Sequence, residues 1–106
     1  MKRGEVWWVS FNPSIRGKIQ KQRPAVVISN DVSNKYLNRV QVVPITSKVE
    51  KLYPSEAYVT VGGRQSKAMT DQLATVSKER MVKLIGRVTA AEMMGIEKAL
   101  RIQLSL

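Results

Sequence analysis

An arginine and a pair of hydroxyls sit at the ends of two apolar runs. Arg23 opens Arg23-Pro24-Ala25-Val26-Val27-Ile28-Ser29, and Thr46-Ser47 closes Val40-Gln41-Val42-Val43-Pro44-Ile45. In a chain of formal net charge +10 with no histidine and no cysteine, these are the groups best suited to chemistry on a phosphate. RNA carries its own nucleophile in the 2′-hydroxyl. A protein acting on it need only align that hydroxyl, move a proton and stabilise the charge that develops on a pentacoordinate phosphorus. Arginine suits the last task, because its planar fork stays charged and donates to two oxygens at once. A surface ion-pair arginine and a strand-end turn former are the ordinary alternatives for Arg23 and Thr46.

The missing residue types narrow the chemistry further. Without histidine or cysteine there is no imidazole acid-base pair and no transition-metal cage. The eight carboxylates are scattered and form no Asp-x-Asp pair for magnesium. A Gly-x-x-x-x-Gly-Lys-Ser/Thr loop is absent as well, so no nucleotide cradle is indicated. The expectation is electrostatic catalysis with no cofactor.

A length of 106 residues fits a single domain over 1–106, and 43% hydrophobic with 25% charged residues is an ordinary globular mix. Zero cysteine excludes disulfides and is compatible with a reducing cytosol. The run Val6-Trp7-Trp8-Val9-Ser10 behind the basic N-terminus is too short for a signal segment or a membrane span. A cytoplasmic protein without membrane contact is therefore expected. Eighteen Lys+Arg against eight Asp+Glu would gather polyanions at the surface, with strong salt dependence. Nucleic acid leads as partner class, with an acidic protein partner compatible beside it.

The charge concentrates in Ser14-Ile15-Arg16-Gly17-Lys18-Ile19-Gln20-Lys21-Gln22-Arg23, which holds four cations, no acid and no sustained period of 2 or 3.6. It reads as a basic loop running into Arg23, or as a merely solvated hairpin end. Lys18, Lys21 and Lys67 are the candidates for backbone phosphate contacts, and Gln20 and Gln72 for base edges, since glutamine both donates and accepts. Trp7 and Trp8 could stack on bases, but alternating strand positions more often send one into the core. They are left outside the site.

Most of the positioning elements read as strands. Glu5 to Phe11 is rich in Val and Trp and ends at Asn12-Pro13-Ser14. Pro24 starts a second strand whose consecutive apolar residues imply burial on both faces and a central place. Residues 30–38 carry caps for one short connecting helix, and a third strand covers Val40 to Ile45. Residues 48–55 form a loop, Ala57 to Val61 a strand, Gly62-Gly63 a hairpin turn, and 66–76 and 83–88 two further strands. Thr89 with Glu92 three residues on is a capping box, followed by Met93, Ile96 and Leu100 on one helical side. Five to seven short strands and one late helix make a mainly β, small α+β fold. They predict a strongly curved antiparallel sheet or SH3-like barrel.

Four blocks add a resemblance. Arg3-Gly4-Glu5-Val6-Trp7-Trp8-Val9, Arg23-Pro24-Ala25-Val26-Val27-Ile28-Ser29-Asn30-Asp31, Val43-Pro44-Ile45-Thr46-Ser47 and Asp71-Gln72-Leu73-Ala74-Thr75-Val76 resemble, in order, the successive blocks of MazF/PemK-type toxins. The resemblance spans nearly the whole chain. It implies an SH3-like barrel of the CcdB/PemK type with a C-terminal helix, acting as a homodimer that cuts single-stranded RNA at short motifs without metal. Such an mRNA interferase inhibits translation and growth. It is neutralised by a cognate antitoxin that is acidic and partly disordered, and it meets operator DNA only together with that antitoxin.

By position, Arg23 matches the family's catalytic arginine, Thr46 its catalytic hydroxyl residue and Ser47 a phosphate-contacting neighbour. Asp71 matches an acidic residue tied in some members to substrate contact or acid-base work. Met69 falls where some members have a basic residue, which leaves the proton carrier open between Asp71 and Arg23. Two other classes stay in view. A gyrase-poisoning toxin on the same barrel uses a tryptophan near its C-terminus, where this chain ends Arg101-Ile102-Gln103-Leu104-Ser105-Leu106. A basic barrel can also bind single strands with no chemistry at all.

Overall fold

The strand signals join into one antiparallel system in the computed structural model, which describes residues 1–11 and 22–106. In chain order the elements are β1 (Glu5–Ser10), β2 (Gln22–Val27), α1 (Asp31–Tyr36), β3 (Arg39–Thr46), β4 (Glu56–Val61), β5 (Arg64–Met69), β6 (Ala74–Ser77), β7 (Met81–Arg87) and α2 (Ala90–Leu104). Single 3-10 turns, Thr70–Gln72 and Lys78–Arg80, lie on either side of β6. The neighbours run β4-β5-β3-β2-β1-β7, with β6 also on β3.

The curl originates at β3. One edge of this strand pairs with β2, from Val27↔Val42 to Ala25↔Pro44. The other edge pairs first with β6 from Arg39 to Val42, and then with β5 at Ile45 and Thr46. A strand that changes partner midway must bend, so the sheet closes partly on itself as a half-barrel. This is the curved β architecture expected from the sequence, with the C-terminal helix added.

Alternation along the strands builds two cores. Val6, Val26, Val43 and Ile45 join Ala57, Val59, Ala68 and the α2 residues Met93, Ile96 and Ala99 on one face. Val9, Ala25, Val27, Val40 and Val42 join Val76 and Met81 on the other. Ala25, Val26 and Val27 are all fully buried, which is the physical meaning of their consecutive apolar run. Trp7 packs against the second core while Trp8 stays partly exposed, so the tandem tryptophans split as pleating requires.

Two local signals act as expected. Gly62 and Gly63 both have positive φ, 59° and 76°, and close the two-residue β4–β5 turn in the conformation that only glycine adopts cheaply. Thr89 caps α2: its Oγ1 accepts from the Glu92 amide at 3.0 Å, and Glu92 Oε1 accepts from the Thr89 amide at 2.8 Å. Such a box is worth about 1 kcal/mol. Glu92 Oε2 also accepts from the Thr60 amide at 2.7 Å, tying the helix start to β4.

The single strand expected over 66–76 is corrected. β5 ends at Met69, a 3-10 turn intervenes, and β6 begins at Ala74. Thr70 causes the break, because its amide and its hydroxyl both donate to the Ser55 carbonyl, at 3.0 and 2.6 Å. With those donors held, the chain turns and its next strand pairs with a different part of β3. The last strand also starts earlier than the expected residue 83, at Met81.

Candidate active site

Arg23 is the second residue of β2 and lies directly across from Val9 of β1. It is exposed, although Ala25 two residues on is fully buried, so the side chain emerges where the second core reaches its rim. Thr46 ends β3, half-buried, with Lys67 of β5 as its cross-strand partner. The β2–β3 pairing runs from Val27↔Val42 to Ala25↔Pro44, and Arg23 and Thr46 each lie two residues beyond its last pair, at the same end of the two strands. Both residues have the pleat parity of the second core, Arg23 with Ala25 and Val27, Thr46 with Val42 and Val40. A guanidinium and a hydroxyl placed in this way can reach one phosphate group together.

The Thr46 hydroxyl is partly committed. Its Oγ1 accepts from the Lys48 amide at 3.2 Å, which fixes the turn that presents Ser47 to solvent. An accepting hydroxyl still has its own proton to donate. The turn-forming and chemical readings of Thr46 are therefore compatible in one geometry.

A cleft of about 380 Å³ opens beside Arg23, lined also by Phe11, Pro44, Gln72, Ala74, Thr75 and Val76. Gln72 is thus brought to Arg23 from far along the chain, in the 3-10 turn between β5 and β6. Its Nε2 donates to Met69 Sδ at 3.5 Å, and its carbonyl oxygen is an acceptor with no partner among the described residues. Phe11 and Thr75 were not singled out from the sequence. Thr75 lay inside the Asp71 to Val76 block, and an exposed residue between two inward apolar ones on a short strand was the available signal. Asp71 is exposed in the same 3-10 turn and accepts no hydrogen bond among the described residues.

Five of the eight carboxylates serve the scaffold. Glu5 accepts from the Lys2 amide and from Trp7, Asp31 from the Arg3 amide, and Glu97 pairs with Arg3 at 2.9 Å. Glu92 caps α2 and Glu56 pairs with Lys67 at 2.8 Å. Asp71 is the acid left beside Gln72.

Lys67 departs from its expected place at a solvent-facing phosphate contact. Its residue is 7% exposed, and its Nζ donates to Glu56 Oε1 and to the Lys51 carbonyl. A strand lysine flanked by buried Ser66 and Ala68 has to find a buried partner, and Glu56 on the adjacent strand supplies it. Lys18, Gln20 and Lys21 lie outside the described residues. Among the described residues no helix is long and apolar enough to cross a membrane.

Comparison with known proteins identifies the family. Residues 2–104 match the family model described as PemK-like, MazF-like toxin of type II toxin-antitoxin system. The chain is 39% identical over 115 residues to Endoribonuclease MazF9 of Mycobacterium tuberculosis, covering all of this chain and 98% of that protein. The fold is similar to an endoribonuclease in complex with its cognate antitoxin from a mycobacterial species, at TM-score 0.84 and 22% identity, over 100% of this chain and 96% of that one. It is similar also to MazF in a MazE–MazF crystal structure from Deinococcus radiodurans, at TM-score 0.86 and 21% identity, with the same coverage. With a full-length relative at this identity and the family model matched almost end to end, the chain belongs to the PemK-like, MazF-like toxins of type II toxin-antitoxin systems.

Proposed function

We propose that the chain is a metal-independent endoribonuclease that cuts single-stranded RNA, mRNA included, at short sequence motifs and so inhibits translation and growth. In the reaction the 2′-oxygen bonds to phosphorus while the bond to the 5′-oxygen breaks. The 2′-hydroxyl gives up its proton, the 5′-oxygen gains one, and the products end in a 2′,3′-cyclic phosphate and a 5′-hydroxyl. Arg23 stabilises the charge on the non-bridging oxygens, Thr46 and Ser47 orient the phosphate, and Asp71 or Arg23 itself handles a proton. Gln72 reads a base edge in the cleft beside Arg23, and Lys18, Gln20 and Lys21 extend the contact along the strand.

The single observation that supports this reading is the shared face of Arg23 and Thr46 at the ends of adjacent central strands, next to the Gln72 cleft. The chain's net charge of +10 favours RNA as the polyanion. The same charge favours an acidic, partly disordered antitoxin that covers the site as it folds, and the toxin works as a homodimer.

The test is incubation of the purified protein with a long RNA in excess chelator, followed by analysis of the product ends. Discrete fragments with cyclic phosphate and 5′-hydroxyl ends are expected. Intact RNA would turn the reading towards a non-catalytic binding module or a gyrase-directed toxin. Simultaneous binding of antitoxin peptide and RNA would contradict competition at one site.

A further inference from the structure

Lys67 pairs across the sheet with Thr46, yet its ammonium points away from solvent into a cluster built by the next loop. Nζ donates to Glu56 Oε1 at 2.8 Å and to the carbonyl of Lys51. The same Glu56 oxygen accepts from the Tyr53 amide at 2.9 Å. The Tyr53 ring lies 5.5 Å from Lys67 Nζ and 5.1 Å from Lys51 Nζ. Both charged side chains are about nine-tenths buried, at 9% and 10% exposure. One buried ion pair therefore gathers a backbone carbonyl, a backbone amide and an aromatic ring from residues 51–53.

These contacts fall on the loop that leaves Thr46. Residues 47–55 join β3 to β4. One end is set by the Lys48 amide on Thr46 Oγ1, and the other by the Thr70 hydroxyl on the Ser55 carbonyl. Between these ends, Lys67 and Glu56 provide the buried anchor, with Tyr58 Oη reaching the Val49 carbonyl at 3.4 Å. A loop with a charged buried anchor keeps the hydroxyl at its start in one place. A displacement of about 1 Å at a reacting group can lower a rate by roughly a hundredfold.

We propose that Lys67 and Glu56 are positioning residues for the reaction: their buried pair fastens loop 47–55 and thereby holds the Thr46-Ser47 hydroxyls against Arg23. This rests on the nuclease reading of the site. Removing one partner strands the other charge and risks the whole fold, so the decisive variant is the apolar pair Lys67→Met/Glu56→Leu. Replacing a buried ion pair by packed apolar residues of similar volume is often neutral or stabilising. It still deletes the bonds to the Lys51 carbonyl and the Tyr53 amide.

Two readouts separate positioning from bulk stability. Amide hydrogen exchange on the free protein is expected to show the Tyr53 amide protected in the parent and exposed in the double variant, with β2 and β3 protected in both. Single-turnover cleavage of a single-site RNA is expected to fall roughly tenfold or more in rate, while the apparent RNA affinity changes by less than about threefold. A folded double variant with parental exchange at Tyr53 and a parental rate would overturn the proposal. Failure of the parent itself to cut RNA would overturn the nuclease reading instead, and the exchange result would still report on the anchor.

Discussion

Thr46 stands across the β3–β5 ladder from Lys67, so the hydroxyl at the end of a central strand neighbours an ammonium that the fold has turned inward. On its other side, β2 carries Arg23 two residues beyond the Ala25↔Pro44 pair, with the same pleat parity. Of the two cations that flank Thr46 in sheet order, Arg23 is exposed and makes no ion pair among the described residues, and Lys67 is committed to Glu56.

Arg23→Ala should leave folding intact, since the side chain is exposed, and lower the cleavage rate by about a hundredfold or more. Arg23→Lys should recover only part of that loss, because an ammonium cannot make the two parallel donations. A rate for Arg23→Ala equal to the parent's would remove this residue from the site.

Thr46→Val keeps the shape and deletes the hydroxyl. Cleavage should fall by about tenfold to a hundredfold, with Thr46→Ser close to the parent. The Lys48 amide loses its acceptor in the valine variant, so circular dichroism and Tm belong beside the kinetics.

Salt dependence separates the two kinds of lysine. Each phosphate contact on a single strand contributes about −0.7 to the slope of log K against log salt. Lys18→Ala and Lys21→Ala should each flatten the slope by about that amount. The Lys67→Met/Glu56→Leu pair should leave it unchanged, because the Lys67 ammonium is buried and paired. Equal flattening by both would place Lys67 on the RNA.

The ion pair also sets an acid limit. Burial raises the Glu56 carboxyl, but the Lys67 hydrogen bond, the Tyr53 amide and the Lys67 charge together outweigh it and hold the group below its ordinary value of 4.5. A depressed carboxylate stabilises the fold above its unfolded value and loses that contribution as pH falls through the folded value. Unfolding monitored below pH 4.5 should therefore show an acid-induced loss that is smaller in the Lys67→Met/Glu56→Leu variant, which keeps the lowered carboxyls of Glu5 and Asp31.

Thr89→Ala should cost about 1 kcal/mol in stability through the lost cap and leave the cleavage rate unchanged, since Thr89 lies on the α2 side of the sheet. Chemical denaturation and a single-turnover assay check both halves.

How much of this was legible in the sequence follows the range of each interaction. The Gly62-Gly63 turn, the Thr89–Glu92 box and the doubly buried run of β2 are local patterns, and each appears where it was read. Arg23 and Thr46 were legible as strand ends. Their shared face depends on a register, and the register depends on the alternation of Ala25, Val27, Val40 and Val42, which periodicity does encode. The break after Met69 was not legible, because it is made by Thr70 reaching the carbonyl of Ser55, fifteen residues away. Lys67 was misplaced for a similar reason. A cation in a strand looks solvent-facing until its partner on the next strand, eleven residues back, is known.

The most direct test of the central claim is a crystal structure of the protein with a single-site oligonucleotide whose 2′-hydroxyl at the cleaved position is replaced by hydrogen, so that the phosphate stays intact. The account predicts one phosphate whose non-bridging oxygens lie within hydrogen-bond distance of both the Arg23 guanidinium and the Thr46 hydroxyl. A scissile phosphate bound away from either group, or RNA lying on the α2 side of the sheet, would contradict it.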